Sequence, residues 1–176
     1  IGKAAAVFER LNPIWKSGTI RNDMKLRLYQ SIVLPTTIYA GETWKRTAAI
    51  SNRLDVFHRR CLRTILGISW RDHITNEELM KRAGMDDLSD IVTVRRRRFA
   101  GHVMRLPKER PAKVAMRWTP TGGKRKRGRP KATWRKTFQE DLQEMGIDWS
   151  SAQSAATDRS RWRALVARCS NRSGRN

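Results

Sequence analysis

Acidic residues are scarce in this chain. Across 176 residues, 16 Asp and Glu stand against 38 Lys and Arg, which leaves a formal net charge of +22 and a pI near 11.5. Such an excess repels itself in a compact state unless a polyanion neutralises it. Cysteine and histidine are scarce too: Cys61 and Cys169, with His58, His73 and His102. Two thiols exclude a disulfide scaffold, and a reducing compartment, nuclear and cytoplasmic, is the expectation. His58-x-x-Cys61 puts two metal-ligand types on one helical face, but no second pair stands nearby and a zinc site wants four. Cys61 therefore reads as a buried apolar residue and Cys169 as incidental. No apolar run approaches the ~20 residues that span a bilayer. Nothing at the N-terminus reads as a secretory signal, and the chain opens in a helical pattern without Met, as a piece of something longer would.

What is present is helical. Hydrophobic residues make up 39% of the chain, enough for one domain or two small ones. Ala4, Val7, Phe8, Leu11, Ile14 and Trp15 recur at helical spacing, with Pro13 as a kink or an early end. Met24, Leu28, Tyr29, Ile32 and Val33 follow; Pro35 kinks that helix, or the chain turns extended after Leu34. Ile50, Leu54, Phe57, Cys61 and Ile65 step by three or four, and Gly67 stands at the C-cap position. Arg59, Arg60 and Arg63 take the opposite side, so one face packs inward and the other suits a phosphate backbone. Thr75-x-x-Glu78 reads as a capping box for a short helix ended by Gly84.

The next apolar stripe is Leu88, Ile91, Val92, Phe99, Val103 and Leu106, interrupted by Arg95, Arg96, Arg97 and Arg98. At ~100° per residue Arg95 falls in mid-stripe. A buried unpaired guanidinium is too costly, so Arg95 snorkels, pairs with a carboxylate or meets nucleic acid. His102 shares the stripe as a hydrogen-bonded core histidine. Pro111 starts a short helix; Trp134, Phe138, Leu142 and Met145 line another, stopped by Gly146; Asp158 caps the last, with Trp162, Leu165 and Val166 inward.

The most basic stretch is Gly122-Gly123-Lys124-Arg125-Lys126-Arg127-Gly128-Arg129-Pro130-Lys131. Gly128 lets the backbone lie against a surface, and Pro130 keeps the residue before it extended. Two guanidinium groups on a flat, extended strand suit a narrow minor groove. The core resembles an AT-hook; a basic linker touching phosphates without preference is the other reading. Trp70, in a turn after Gly67 and beside Arg71, is a possible base-stacking residue. Trp134 and Trp162 fit apolar stripes and read as anchors of small clusters.

Larger blocks carry a resemblance. They are Lys25-Leu26-Arg27-Leu28-Tyr29-Gln30-Ser31-Ile32-Val33-Leu34-Pro35, Tyr39-Ala40-Gly41-Glu42-Thr43-Trp44, and Arg60-Cys61-Leu62-Arg63-Thr64-Ile65-Leu66-Gly67 running on to Ser69-Trp70-Arg71-Asp72. Thr75 to Leu79, Arg98-Phe99-Ala100-Gly101-His102-Val103-Met104-Arg105, and Arg127 to Pro130 continuing to Trp134-Arg135 follow in order. Together they resemble the thumb and post-thumb C-terminal region of non-LTR retrotransposon (LINE) endonuclease–reverse transcriptases. The resemblance implies a helical thumb that grips the template–primer duplex, inside a parent RNA-directed DNA polymerase. It also implies that the magnesium-binding aspartates belong to a palm upstream of Ile1. Met85-Asp86-Asp87 is therefore not that pair; Asp86, Asp87, Ser89 and Asp90 sit where acids favour a helix start.

The expectation is an all-α chain: a thumb-like bundle over 1–70, a basic helical connector over 71–118, and the hook-like loop over 119–132. Helices over 133–170 and a disordered tail over 171–176 complete it. No catalytic residue, cofactor or metal is expected in the chain itself. Its expected partners are RNA, RNA–DNA hybrid or duplex DNA, and the missing palm and fingers, with no membrane. A domesticated DNA-binding protein using the hook, or a remnant without function, are the alternatives.

Overall fold

The computed structural model describes residues 1–118 and 133–170. The hook-like stretch with Lys124, Arg125, Lys126, Arg127, Arg129 and Lys131 lies outside the described residues, as does the tail after Ser170. The fold is all-α, with no strand among the described residues. Its helices are α1 (Gly2–Arg10), α2 (Asn12–Lys16), α3 (Asn22–Leu28), α4 (Leu34–Thr37), α5 (Ala48–Leu66), α6 (Asn76–Ala83), α7 (Leu88–Arg105), α8 (Pro111–Arg117), α9 (Trp134–Glu144), α10 (Trp149–Thr157) and α11 (Arg159–Ser170). They form two compact units. The first comprises Ile1–Ala40 and Ala48–Ile91; the second comprises Gly41–Thr47 and Val92–Asn176. The first unit thus runs past residue 70, because α6 packs on α5.

In the first unit α5 is the central element. Leu54, Asp55, His58, Cys61, Leu62 and Ile65 are buried along one face. Gly67 ends the helix at φ +67, a conformation costly for any side chain, and Ile68 N–H donates to the Arg63 carbonyl at 2.9 Å. Pro13 falls in the first turn of α2, so α1 and α2 are separate helices. Trp15 folds back so that its indole stacks on Phe8 and donates to the Phe8 carbonyl at 2.9 Å.

Pro35 does not break its helix. A π-helical turn over Tyr29–Val33 joins α3 to α4, and the Leu34 N–H reaches the Tyr29 carbonyl five residues back. Proline brings no N–H to its own turn, and the wider turn absorbs the mismatch. The Thr36 and Thr37 hydroxyls donate to the Ile32 and Val33 carbonyls at 2.8 Å each. The buried line of this helix is Lys25, Tyr29 and Val33, whereas Met24 and Ile32, expected inward, are exposed. Lys25 is inward because its ammonium caps α2, donating to the Trp15 carbonyl at 2.9 Å.

In the second unit, Phe138 and Leu142 of α9 and Met145 just after it meet Ala100, Val103 and Met104 of α7 in one core. Trp162 of α11 is buried in it, as expected, and its indole donates to the Arg97 carbonyl at 3.0 Å. Gly101 makes that approach possible, since a Cβ there would lie 2.2 Å from the indole nitrogen. Trp134 stacks on Phe138 and donates to the Glu42 carbonyl at 2.9 Å. Cys169 packs in the same core, so it is not incidental. His102 is exposed, not the core histidine expected. Gly84 and Gly146 end α6 and α9 with positive φ. Only half of the Thr75 box forms: Thr75 Oγ1 accepts from Glu78 N–H, but the Glu78 carboxylate turns to Arg82 at 2.8 Å.

Candidate nucleic-acid interface

The solvent-facing side of α5 carries Arg53, Val56, Arg60 and Thr64 at helical spacing, with Arg59 and Arg63 on its flank. Arg59, Arg60 and Arg63, which the sequence singles out, all line one open depression of about 400 Å³ with Val56, Thr64, Ile68 and Asn76. The three differ in chemistry. Arg59 forks onto Asp87, donating Nε to Oδ1 at 3.0 Å and Nη2 to Oδ2 at 2.7 Å. Its charge is already neutralised, and that pair gives Asp87 a structural role.

Arg63 donates Nη2 to the Ile74 carbonyl at 2.8 Å and to Asn76 Oδ1 at 3.1 Å. Both acceptors are neutral, so Arg63 is held in place and keeps its full charge. Arg60 is exposed and makes no ion pair among the described residues. Arg53, two helical turns before Arg60 on the same line, completes the cationic edge. The seven-residue spacing of Arg53 and Arg60 is a sequence signal in its own right, masked by the run of arginines beside it.

Asp55, buried on the other face of α5, accepts the Ser89 N–H at 2.9 Å and so caps the start of α7. Asp90 lies in the first turn of α7, as expected, and Asp55 adds to it a cap from a residue 34 positions away. No local signal points to it.

Trp70 projects from a short 3₁₀ turn over Trp70–Asp72, with 77% of its surface exposed. The Ser69 side chain accepts from Arg71 N–H, and the Asp72 carboxylate accepts from Ser69 N–H at 2.6 Å. The turn is therefore pinned at both ends, and the Arg71 guanidinium lies over the indole at 5.3 Å. One ring face has a cation, and the residue is open enough for a base.

The four consecutive arginines of α7 divide. Arg95 and Arg98 are exposed, while Arg96 and Arg97 are 1% and 3% exposed. Arg96 forks onto Asp141 of α9, with Nε to Oδ2 at 2.5 Å and Nη2 to Oδ1 at 2.9 Å. Arg97 pairs with Glu144, and Arg46 reaches the same Glu144 at 2.7 Å. Arg96 and Arg97 are thus internal to the second unit, where carboxylates rather than phosphates meet them. Arg95, expected in mid-stripe, points to solvent because the buried line runs Val92, Arg96, Ala100, Val103.

His58 and Cys61 do not form a ligand pair. His58 Nδ1 is 2.8 Å from the Tyr29 hydroxyl, and burial pushes the Cys61 thiol up to about 12. Among the described residues no group of three or more His, Cys, Asp and Glu could hold a metal ion, and no helix is long and apolar enough to cross a membrane.

No protein-family model matches the chain, and no solved structure matches it. The chain is 28% identical over 158 residues to an uncharacterized transposon-derived protein of Caenorhabditis elegans, with 83% of this chain and 56% of that protein covered. It spans little more than half the length of that relative, and the similarity ties it to a protein of transposon origin.

Proposed function

We propose that this chain is the nucleic-acid-binding, post-palm region of a retrotransposon reverse transcriptase, and that it grips template–primer or target DNA. The observation that carries this is α5. One of its faces is in the core, and the other presents Arg53, Arg60 and a pre-positioned Arg63 beside an open depression. Each guanidinium that meets a phosphate releases condensed counterions, so binding is strong at low salt and sequence-independent. Arg63 is already held by Ile74 and Asn76, so little rotamer freedom is lost when it binds. Trp70 stacks on an unpaired base beside the duplex, an interaction of about 1–3 kcal/mol. The resemblance to LINE reverse transcriptases and the transposon-derived relative both support this reading. The chain acts as a binder: polymerisation and its magnesium belong to the palm of the parent protein.

The test is fluorescence anisotropy against an RNA–DNA hybrid with a primer end, an A·T-rich duplex and a G·C-rich duplex of equal length. Each is measured at two salt concentrations. The hybrid is expected to bind tightest and to keep its lead at the higher salt. Equal binding that vanishes with salt would reduce the chain to a polycation. Preference for the A·T-rich duplex would move the function to the arginine hook.

A further inference from the structure

The buried arginines of the second unit, Arg96 and Arg97, are paired with acid, and so is the partly exposed Arg46. One cluster on that unit is not. Arg105, at the end of α7, donates Nη1 to the Ala156 carbonyl of α10 at 2.9 Å, which fixes it against the α10–α11 junction. Its Nε is shut off from solvent and has no hydrogen-bond partner among the described residues. Arg159 and Arg163 stand one turn apart on α11, both exposed, and bring two further positive charges to Arg105. Burial lowers the pKa of Arg105, and Arg159 and Arg163 lower it further.

None of the three has an ion pair among the described residues. The acid nearest in sequence, Asp158, spends Oδ1 on the Ser160 and Arg161 N–H groups at 2.8 and 3.0 Å, capping α11. Like charges at i and i+4 destabilise a helix, and a third cation opposite adds to the strain. The Arg105 hydrogen bond holds the end of α10, but the two exposed cations beside it add only repulsion. An anion with several acceptor oxygens would relieve it.

We infer that Arg105, Arg159 and Arg163 form a second phosphate-binding site, which seats the backbone of a nucleic-acid strand at the junction of α7, α10 and α11. This rests on the nucleic-acid reading above and adds to the α5 face a cation set on the other compact unit. Arg105 is the fixed member. Arg159 and Arg163 are the exposed pair that reach successive phosphates.

The experiment uses the full chain and a mixed-sequence DNA duplex, with the affinity followed across a series of NaCl concentrations. Arg159→Gln with Arg163→Gln removes two exposed cations that form no ion pair among the described residues. The slope of log K against log[NaCl] is expected to become shallower by about 2, at roughly 0.9 for each phosphate that is no longer neutralised. Arg53→Gln with Arg60→Gln on α5 serves as the comparison. A second readout is the melting temperature of the free protein at low salt. Relief of like-charge repulsion should raise it in the Arg159/Arg163 variant, whereas a structural role for these residues would lower it. An unchanged slope in this variant, with the α5 variant responding, would overturn the second site and leave the general reading standing. A lowered melting temperature would also overturn it. No binding by the unaltered chain would overturn both.

Discussion

His58 is fully buried in the first unit, its ring stacked on Tyr29 with centroids 5.6 Å apart. Burial pushes its pKa down to about 4, against a weaker opposing pull from Asp87 and the Asp86 backbone. An unfolded histidine titrates near 6.5. Between those values the unfolded chain binds the extra proton, so stability rises with pH. The contribution is complete above about pH 6.5 and is lost as pH falls through about 4, on the order of 3 kcal/mol. Thermal melts from pH 7.5 to 4 at fixed salt should show the decline. The slope should flatten in His58→Gln, and equal slopes would assign the decline to other groups. The sequence marks His58 only as half of a possible ligand pair. What makes it a core residue is Tyr29, 29 positions earlier and on another helix.

At the scale of the element, α7 shows how far periodicity reads a helix. The four arginines must point four ways, and that much follows from ~100° per residue. Which of them turns inward depends on Asp141, 45 residues later on α9. Large apolar residues set the expected phase, and they carry no weight from Ala100 and Gly101, where another helix comes closest. Arg96→Met should destabilise the second unit by about 3 kcal/mol, because it strips the bidentate partner from a fully buried Asp141. Arg95→Gln should change stability by no more than about 0.5 kcal/mol. Denaturant melts of the two variants check this; similar losses would mean that the inward and outward assignments are wrong.

For the whole molecule the governing quantity is +22. Pairing every acid with a base would still leave this excess unmatched, and it repels itself at low ionic strength. The melting temperature should therefore rise from about 20 mM to about 0.5 M NaCl, as screening shortens the reach of the repulsion. It should rise further with a short nucleic acid at low salt, where binding adds to stability by mass action. A melting temperature that fell with salt would mean that attractive pairs outweigh the repulsion.

The sequence by itself determined the helical class, the helix ends at Gly67, Gly84 and Gly146, the cap at Asp158, and a cation excess of the kind that suits a polyanion. These rest on interactions within a few residues or on the charge sum. Only the tertiary structure decided which cations are free to meet one. Arg59, Arg96 and Arg97 are taken by Asp87, Asp141 and Glu144, while Arg53, Arg60, Arg63 and the Arg105 cluster have no ion pair among the described residues. The reason is that a guanidinium and a carboxylate find each other through space. Their separation along the chain, 28 residues for Arg59 and 45 for Arg96, leaves no trace in local pattern.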